Sequence, residues 1–362
     1  MTTIERVGAR AYRVPTTAPE ADGTLAWDAT TIVVVHAEAG GIRGLGWTYA
    51  DAACVPLVEG MLANAVRGRE VLDVPACWAA MRHAIRNLGR PGLVSCAMSA
   101  VDIALWDAAA RSLNLPVSRL LGRVHDEVAV YGSGGFTTLT DGELVAQLDH
   151  WVRRQRIPRV KIKIGESAGT RVDRDLDRVA VTRDKVGDDV EVFVDANGAY
   201  SPGQARRVAE RLLEWGVTWF EEPVSSDDLP GLAATRFPGG PDIAAGEYGY
   251  DLPYFAHMLP SVDCLQVDVT RCGGYTEWQR ATALAAAVNR DVSAHCAPNL
   301  SAHAAVATQN FRHIEWFADH DRIERLFFDG CLDPAGGTVT PELTAPGHGL
   351  AFRAEAAAEY AL

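Results

Sequence analysis

Arg159-Val160-Lys161-Ile162-Lys163-Ile164-Gly165 sets two lysines on one face of a short apolar run. Residues two apart in a β-strand point the same way, so Lys161 and Lys163 project together while Val160, Ile162 and Ile164 fill the other face. Alone, the stretch fits an edge strand with lysines toward solvent, a common defence against strand-to-strand aggregation. Its surroundings point elsewhere.

From Glu127 onward, short apolar runs alternate with helical patterns of 10–15 residues. The runs are Val128–Tyr131, Arg159–Ile164, Val190–Val194, Val217–Phe220, Asp242–Ala245, Cys264–Val267, Val292–Ala294 and His313–Trp316. That alternation specifies parallel βα units, and eight such units close into a barrel. A typical helix between them is Ser201–Trp215, with Ser201 as N-cap and Pro202 at the first helical position.

Before the barrel the pattern differs. Residues 4–14, Thr30–Ala37 and Ile42–Thr48 predict an antiparallel meander, with Gly40-Gly41 as a turn. Between the first two strands, Thr16–Asp28 is polar, with Pro19 inside it and Pro15 just before it, and predicts a mobile loop, carrying Trp27 as a candidate substrate contact. Helical patterns follow at Val55–Arg67, Pro75–Asn87 and Ser95–Leu113. The last is apolar almost all round and so buried, which obliges Asp102 and Asp107 to find partners. The expected organisation is an N-terminal α+β capping domain over 1–125 and an α/β barrel over 126–332. A Pro- and Gly-rich segment over 333–362 should pack back on the cap.

Composition narrows the function. A formal charge of −13 and a pI near 5.2 disfavour nucleic acid and anionic membrane as partners. Seven scattered cysteines without a Cys-x-x-Cys pair fit reduced thiols in a cytoplasmic protein. The first residues lack a signal-peptide pattern, and no stretch of about 18 uncharged apolar residues predicts a membrane span. Gly132-Ser133-Gly134 and Gly44-Leu45-Gly46 both lack the third glycine of a dinucleotide fingerprint. None of the ten histidines forms a His-x-His pair, which argues against a metallohydrolase barrel.

In such barrels the active site lies at the C-terminal ends of the strands. Asp195, Glu221 and Glu247 end three consecutive runs at equal intervals of 26 residues. Three converging carboxylates cannot all stay ionised without a cation, and hard oxygen donors with room for water suit one Mg²⁺. Across from them Asp268 and His295 end the sixth and seventh runs. A carboxylate beside an imidazole fixes its tautomer, so the pair can act as base or acid. Lys163, beside Lys161 and a cation, is expected to have a lowered pKa. Glu315, on the eighth run, could bond a bound anion if protonated, or orient His295. Ser133, Asn197, Arg271 and Asn299 are polar candidates for a polyhydroxy substrate.

The chain resembles the enolase superfamily, specifically its mandelate racemase subgroup. The matching motifs are Lys161-x-Lys163, Asp195-Ala-Asn197-Gly, Glu221-Glu222-Pro223, Gly246-Glu247, Asp268-x-x-Arg271-x-Gly273-Gly274, His295 and Glu315. The buried helix around Ala100–Asp107, with Leu120-Leu121-Gly122, matches as well. The resemblance implies a modified TIM barrel, (β/α)₇β, whose eighth unit lacks a regular final helix, under a capping domain whose loops close over it. It implies Mg²⁺ on Asp195, Glu221 and Glu247, and abstraction of a proton α to a carboxylate. Lys163 carries over as one base, Lys161 as its carboxylate-facing companion and Asp268–His295 as the opposite base. Glu315 carries over as the acid that bonds the substrate carboxylate. The expected reaction is dehydration of a sugar acid, an aldonate or aldarate. Racemisation, epimerisation or cycloisomerisation by the same bases is the alternative. Specificity is expected in the segments 16–28 and 48–55. The partner is a small-molecule carboxylate, and the chain is expected to be a cytoplasmic homo-oligomer.

Overall fold

The computed structural model describes residues 2–362. β1 (Ile4–Ala21), β2 (Ala26–Ala39) and β3 (Ile42–Tyr49) form the antiparallel meander, in the order β1-β2-β3. The segment expected to be a mobile loop is instead mostly strand. Pairing resumes beyond a register shift, with Glu20 opposite Trp27 and Ala21 opposite Ala26. Only four residues are left to turn the chain. Asp22 closes that turn, its Oδ1 accepting the amides of Thr24 at 2.6 Å and Leu25 at 2.8 Å. The polar composition reflects a hairpin tip that docks on the barrel mouth through polar contacts, the Ala168 amide donating to Gly23 O at 2.8 Å and Thr137 Oγ1 to Asp22 O at 2.9 Å.

The helix Leu93–Ser112 lies across the inner face of this sheet, buried along nearly its whole length. It is long and apolar enough by composition to cross a membrane, but it is wrapped by protein here. Its two acids find the partners their burial demands. Asp102 accepts the amide and hydroxyl of Thr276 at 3.0 and 2.6 Å. Asp107 accepts the amides of Leu45 and His348 and pairs with Arg111 at 2.6 Å.

Eight parallel strands follow, in unbroken order around the barrel. They are β4 (Val128–Gly134), β5 (Arg159–Lys163), β6 (Glu191–Asp195), β7 (Val217–Glu221), β8 (Asp242–Ala245), β9 (Cys264–Val267), β10 (Asp291–Ala294) and β11 (Phe311–Phe317). Pairing of β11 with β4 closes the ring, Ile314 standing opposite Val130. Every expected run is therefore a strand, with ends shifted by up to three residues. One detail is corrected: a regular helix, Ala318–Phe327, does follow the eighth strand. It forms because Asp319 and Asp321 occupy its first turn and Arg325 its last, charges that suit the helix dipole.

The barrel interior below the mouth is plugged by Tyr131, Phe193, Trp219 and His313, with ring centroids 4.8–5.7 Å apart. The chain after Phe328 returns to the cap. Phe328-Asp329 pairs antiparallel with Ala351-Phe352, and Ala361 bridges to Tyr12.

Candidate active site

Strand register sets the site. Lys163 of β5 stands opposite Asp195 of β6, and Asp195 opposite Glu221 of β7. Their side chains therefore leave the barrel wall at one level. Lys161 is fully buried and reaches Glu221, Asp195 at 3.4 Å and Glu315 at 2.7 Å. Lys163 bonds Asp195. Glu221 is held from below: Trp219 Nε1 and Gln266 Nε2 both donate to its Oε2 at 3.0 Å.

Opposite the lysines, His295 Nδ1 meets Asp268 Oδ2 at 2.6 Å. Asp268 Oδ1 accepts the amide and hydroxyl of Thr270 at 2.6 and 2.7 Å, and Arg271 Nε lies 3.4 Å from Oδ2. With Nδ1 tied to a carboxylate, Nε2 is the atom that faces the site. It lies 3.3 Å from Glu247 Oε2, 3.6 Å from Glu315 Oε2 and 3.2 Å from Cys296 Sγ. Arg271 Nη1 also meets Glu247 Oε1 at 3.2 Å.

The backbone turns sharply where the strands end. Asn197, Glu222, Cys296 and Ala297 have φ of 45°, 36°, 47° and 41°, a left-handed region that costs non-glycine residues energy and clusters at functional sites. Each turn delivers the preceding acid or base toward one point.

A cavity of about 390 Å³ opens above these groups. Lys163, Asn197, Glu247, Arg271, His295 and Glu315 face it from the barrel, and Trp27 from the cap hairpin. Both segments expected to govern specificity contribute, through Asp22, Leu25, Tyr49, Ala50 and Asp51. Trp27 is fixed by Glu20 at 2.9 Å and by an edge-on contact with Phe136.

Two polar candidates are corrected. Ser133 is wholly buried and donates to Glu315 Oε1 at 2.6 Å, so it orients Glu315 and does not line the cavity. Asn299 Nδ2 donates to Glu324 at 2.6 Å, a tie between helices. His320, Tyr49, Tyr248 and Cys296 also line the cavity, and sequence reasoning passed over them. His320 lies five residues beyond Glu315, on a helix the expected fold did not contain.

The charge balance bears on two expectations. Burial is the largest influence on Lys163 and works to lower its pKa, yet Asp195, with Glu315 and Glu221, together outweighs it and the net shift is upward. The expected lowering assumed that Lys161 and a cation dominate, whereas the direct neighbour is an anion. Burial works to raise Glu315, but Lys161, His295 and Lys163 hold it well below the carboxylate range. Glu315 accepts here from Ser133 and Lys161; the expected role is that of a donor to a bound anion if protonated, or of a group that orients His295, whose Nε2 lies 3.6 Å away. Glu221 and Glu222 are raised well above the usual range, first by burial and then by Asp195 and Glu247 respectively.

Six carboxylates, Asp195, Glu221, Glu222, Glu247, Asp268 and Glu315, lie buried against three fixed cations, Lys161, Lys163 and Arg271. One oxygen from each of Asp195, Glu221 and Glu247 falls within 4.8 Å of the other two. Glu247 Oε2, Glu222 Oε1 and Asn197 Oδ1 are buried without a hydrogen bond. Unpaired hard oxygens around an excess of negative charge fit a small divalent cation. The arrangement defines a class: a capped parallel barrel with a carboxylate triad between two opposed acid–base groups.

Comparison with known proteins narrows that class. Residues 7–122 match the mandelate racemase / muconate lactonizing enzyme N-terminal domain, and residues 143–357 match the enolase C-terminal domain-like family. The chain belongs to the mandelate racemase/muconate lactonizing enzyme family of the enolase superfamily. It is 31% identical over 359 residues to 3,6-anhydro-alpha-L-galactonate cycloisomerase from Streptomyces coelicolor, covering 96% of both chains. It is 30% identical to L-rhamnonate dehydratase from Saccharopolyspora erythraea, over 90% of this chain and 84% of that one. Among solved structures, a mandelate racemase/muconate lactonizing enzyme-like protein from Rubrobacter xylanophilus superposes with a TM-score of 0.96 at 47% identity, covering 99% and 100% of the two chains. A racemase from Streptomyces coelicolor with bound magnesium superposes at 0.93 and 30% identity, covering 99% and 100%.

Proposed function

We propose that the chain is a Mg²⁺-dependent enzyme that removes the proton α to the carboxylate of a sugar acid and expels the β-oxygen. The observation that carries this reading is the pair of proton-transfer groups, Lys163 and the His295–Asp268 dyad, both facing the cavity around one carboxylate triad. Asp195, Glu221 and Glu247 would hold Mg²⁺, whose positive charge stabilises the enediolate that forms when the proton leaves. The magnesium-bound racemase of similar fold supports that assignment.

The chain's own residues divide the remaining work. Lys161, fixed between Glu221 and Glu315, presents a permanent positive charge where negative charge develops. Lys163 and His295 Nε2 move protons on opposite sides of the reacting carbon. Protonated His295 gives its proton to the β-oxygen, and Asp268 stabilises the imidazolium before that transfer. A free β-hydroxyl then departs as water and leaves a 2-keto-3-deoxy acid, the lyase outcome. A β-oxygen bridged within a sugar-acid ring stays in the molecule when its bond to the β-carbon breaks, and the same step becomes an isomerisation. The cycloisomerase relative that covers 96% of the chain favours keeping that second outcome. The division into 1–125, 126–332 and 333–362 is proposed on the same footing.

The test is a panel of acid sugars and their anhydro forms with MgCl₂, scored for 2-keto product and for α-deuterium uptake in D₂O. Wild type is expected to give 2-keto product from at least one acid. Lys163→Ala and His295→Asn should each lose about 10²–10⁴-fold in turnover. Deuterium uptake without keto product would replace this reading with racemisation.

A further inference from the structure

We infer that the outer half of the cavity selects sugar acids with a single carboxylate, and that His320 Nε2–H binds an uncharged oxygen at the substrate's far end. The inference rests on the α-proton reading above and adds the class of acid that the site accepts.

Among the described residues lining the cavity, the only lysine and arginine are Lys163 and Arg271. Both belong to the barrel floor, where Lys163 is bonded to Asp195 and Arg271 to Glu247 and Asp268. A substrate carboxylate seated on the floor uses that positive region. The far end of the substrate faces the wall formed by Asp22, Thr30, Thr31, Tyr49 and Asp51 of the cap and by His320 of the barrel helix Ala318–Phe327, which stacks on Tyr49. Asp22 and Asp51 accept backbone amides of their own turns and pair with no lysine or arginine among the described residues. A second substrate carboxylate placed there meets two anions and no cation. Like-charge juxtaposition of this kind is a common means of rejecting a competing ligand.

His320 supplies the attractive element. Its ring is 6% exposed and stacked on Tyr49, with centroids 3.4 Å apart and planes 9° from parallel. The amide of Ala297 donates to Nδ1 at 3.3 Å, which leaves the ring hydrogen on Nε2. Nε2 has no partner among the described residues and belongs to a ring that lines the cavity. Burial holds the imidazole well below its usual pKa, so it offers one N–H and no charge. Tyr49 is itself anchored, its hydroxyl donating to Glu324 at 3.1 Å. A neutral, oriented donor suits a hydroxyl or ether oxygen and does little to neutralise a carboxylate.

The experiment measures kcat and KM, with α-deuterium uptake, for matched aldonate and aldarate pairs in the presence of MgCl₂. Wild type should favour the aldonates by about tenfold or more in kcat/KM, the scale of one lost hydrogen bond or an uncompensated partly screened charge. His320→Leu should raise KM for aldonates about tenfold, again the scale of one hydrogen bond, with kcat changing little. Asp51→Asn should narrow the gap between the two classes. Equal or better use of aldarates by wild type, or a His320→Leu effect confined to kcat, overturns this inference and leaves the reaction class standing. Absence of uptake with every acid overturns the reaction class and this inference together.

Discussion

At the scale of single residues, the site depends on which atom of each side chain is already occupied. Asp268 fixes His295 Nδ1, so one imidazole nitrogen is left for chemistry. Ser133 does the same for Glu315, accounting for an oxygen that Lys161 also contacts. Ser133→Ala should therefore lower kcat/KM about five- to tenfold, the scale of one buried hydrogen bond. KM should hold nearly constant and thermal unfolding should change little; steady-state kinetics and a melting curve check both. The catalytic set was legible because an ionisable residue at the end of an apolar run declares its position. Ser133, Asn299 and His320 were not, because their roles depend on which way a buried side chain turns. Ser133 and Asn299 are taken up by Glu315 and Glu324, while His320 faces the cavity.

At the scale of elements, eight short strands were legible from alternation alone, and their register explains the site. Two segments resisted. The hairpin tip at residues 16–28 lacks the apolar alternation of its own strands, since it reaches past the sheet. Gly44-Leu45-Gly46 was weighed only as a failed nucleotide fingerprint, yet its use is steric. A Cβ at Gly46 would sit 2.3 Å from Ala100 O and 2.6 Å from Ala104 N, and one at Gly44 2.1 Å from Ala104 O. The bare backbone lets the helix Leu93–Ser112 lie directly on β3. Gly46→Ala should cost about 2–3 kcal/mol in urea unfolding, as overpacking against rigid backbone does. An unchanged midpoint would show that the helix can lift away without loss.

At the scale of the whole molecule, the buried acidic cluster links stability to cation binding. A ligand that binds only the folded state at a hundredfold its Kd stabilises by about 2.7 kcal/mol. Mg²⁺ should accordingly raise the melting temperature by a few degrees, EDTA should reverse the rise, and Asp195→Asn with Glu247→Gln should abolish it. Calorimetry with and without MgCl₂ gives the answer without any substrate. The joint between cap and barrel has a different consequence, for the order of folding. Thr30 donates to Asp319 at 2.5 Å across 289 residues of sequence, and Trp47 and Tyr49 reach Glu324 across 277 and 275. Contacts of such separation form late, because the chain entropy of closing so long a loop is met before the contact repays it. The roof of the cavity thus waits on one of the last helices to be synthesised. Secondary structure should return on refolding before the substrate has an enclosed chamber to enter.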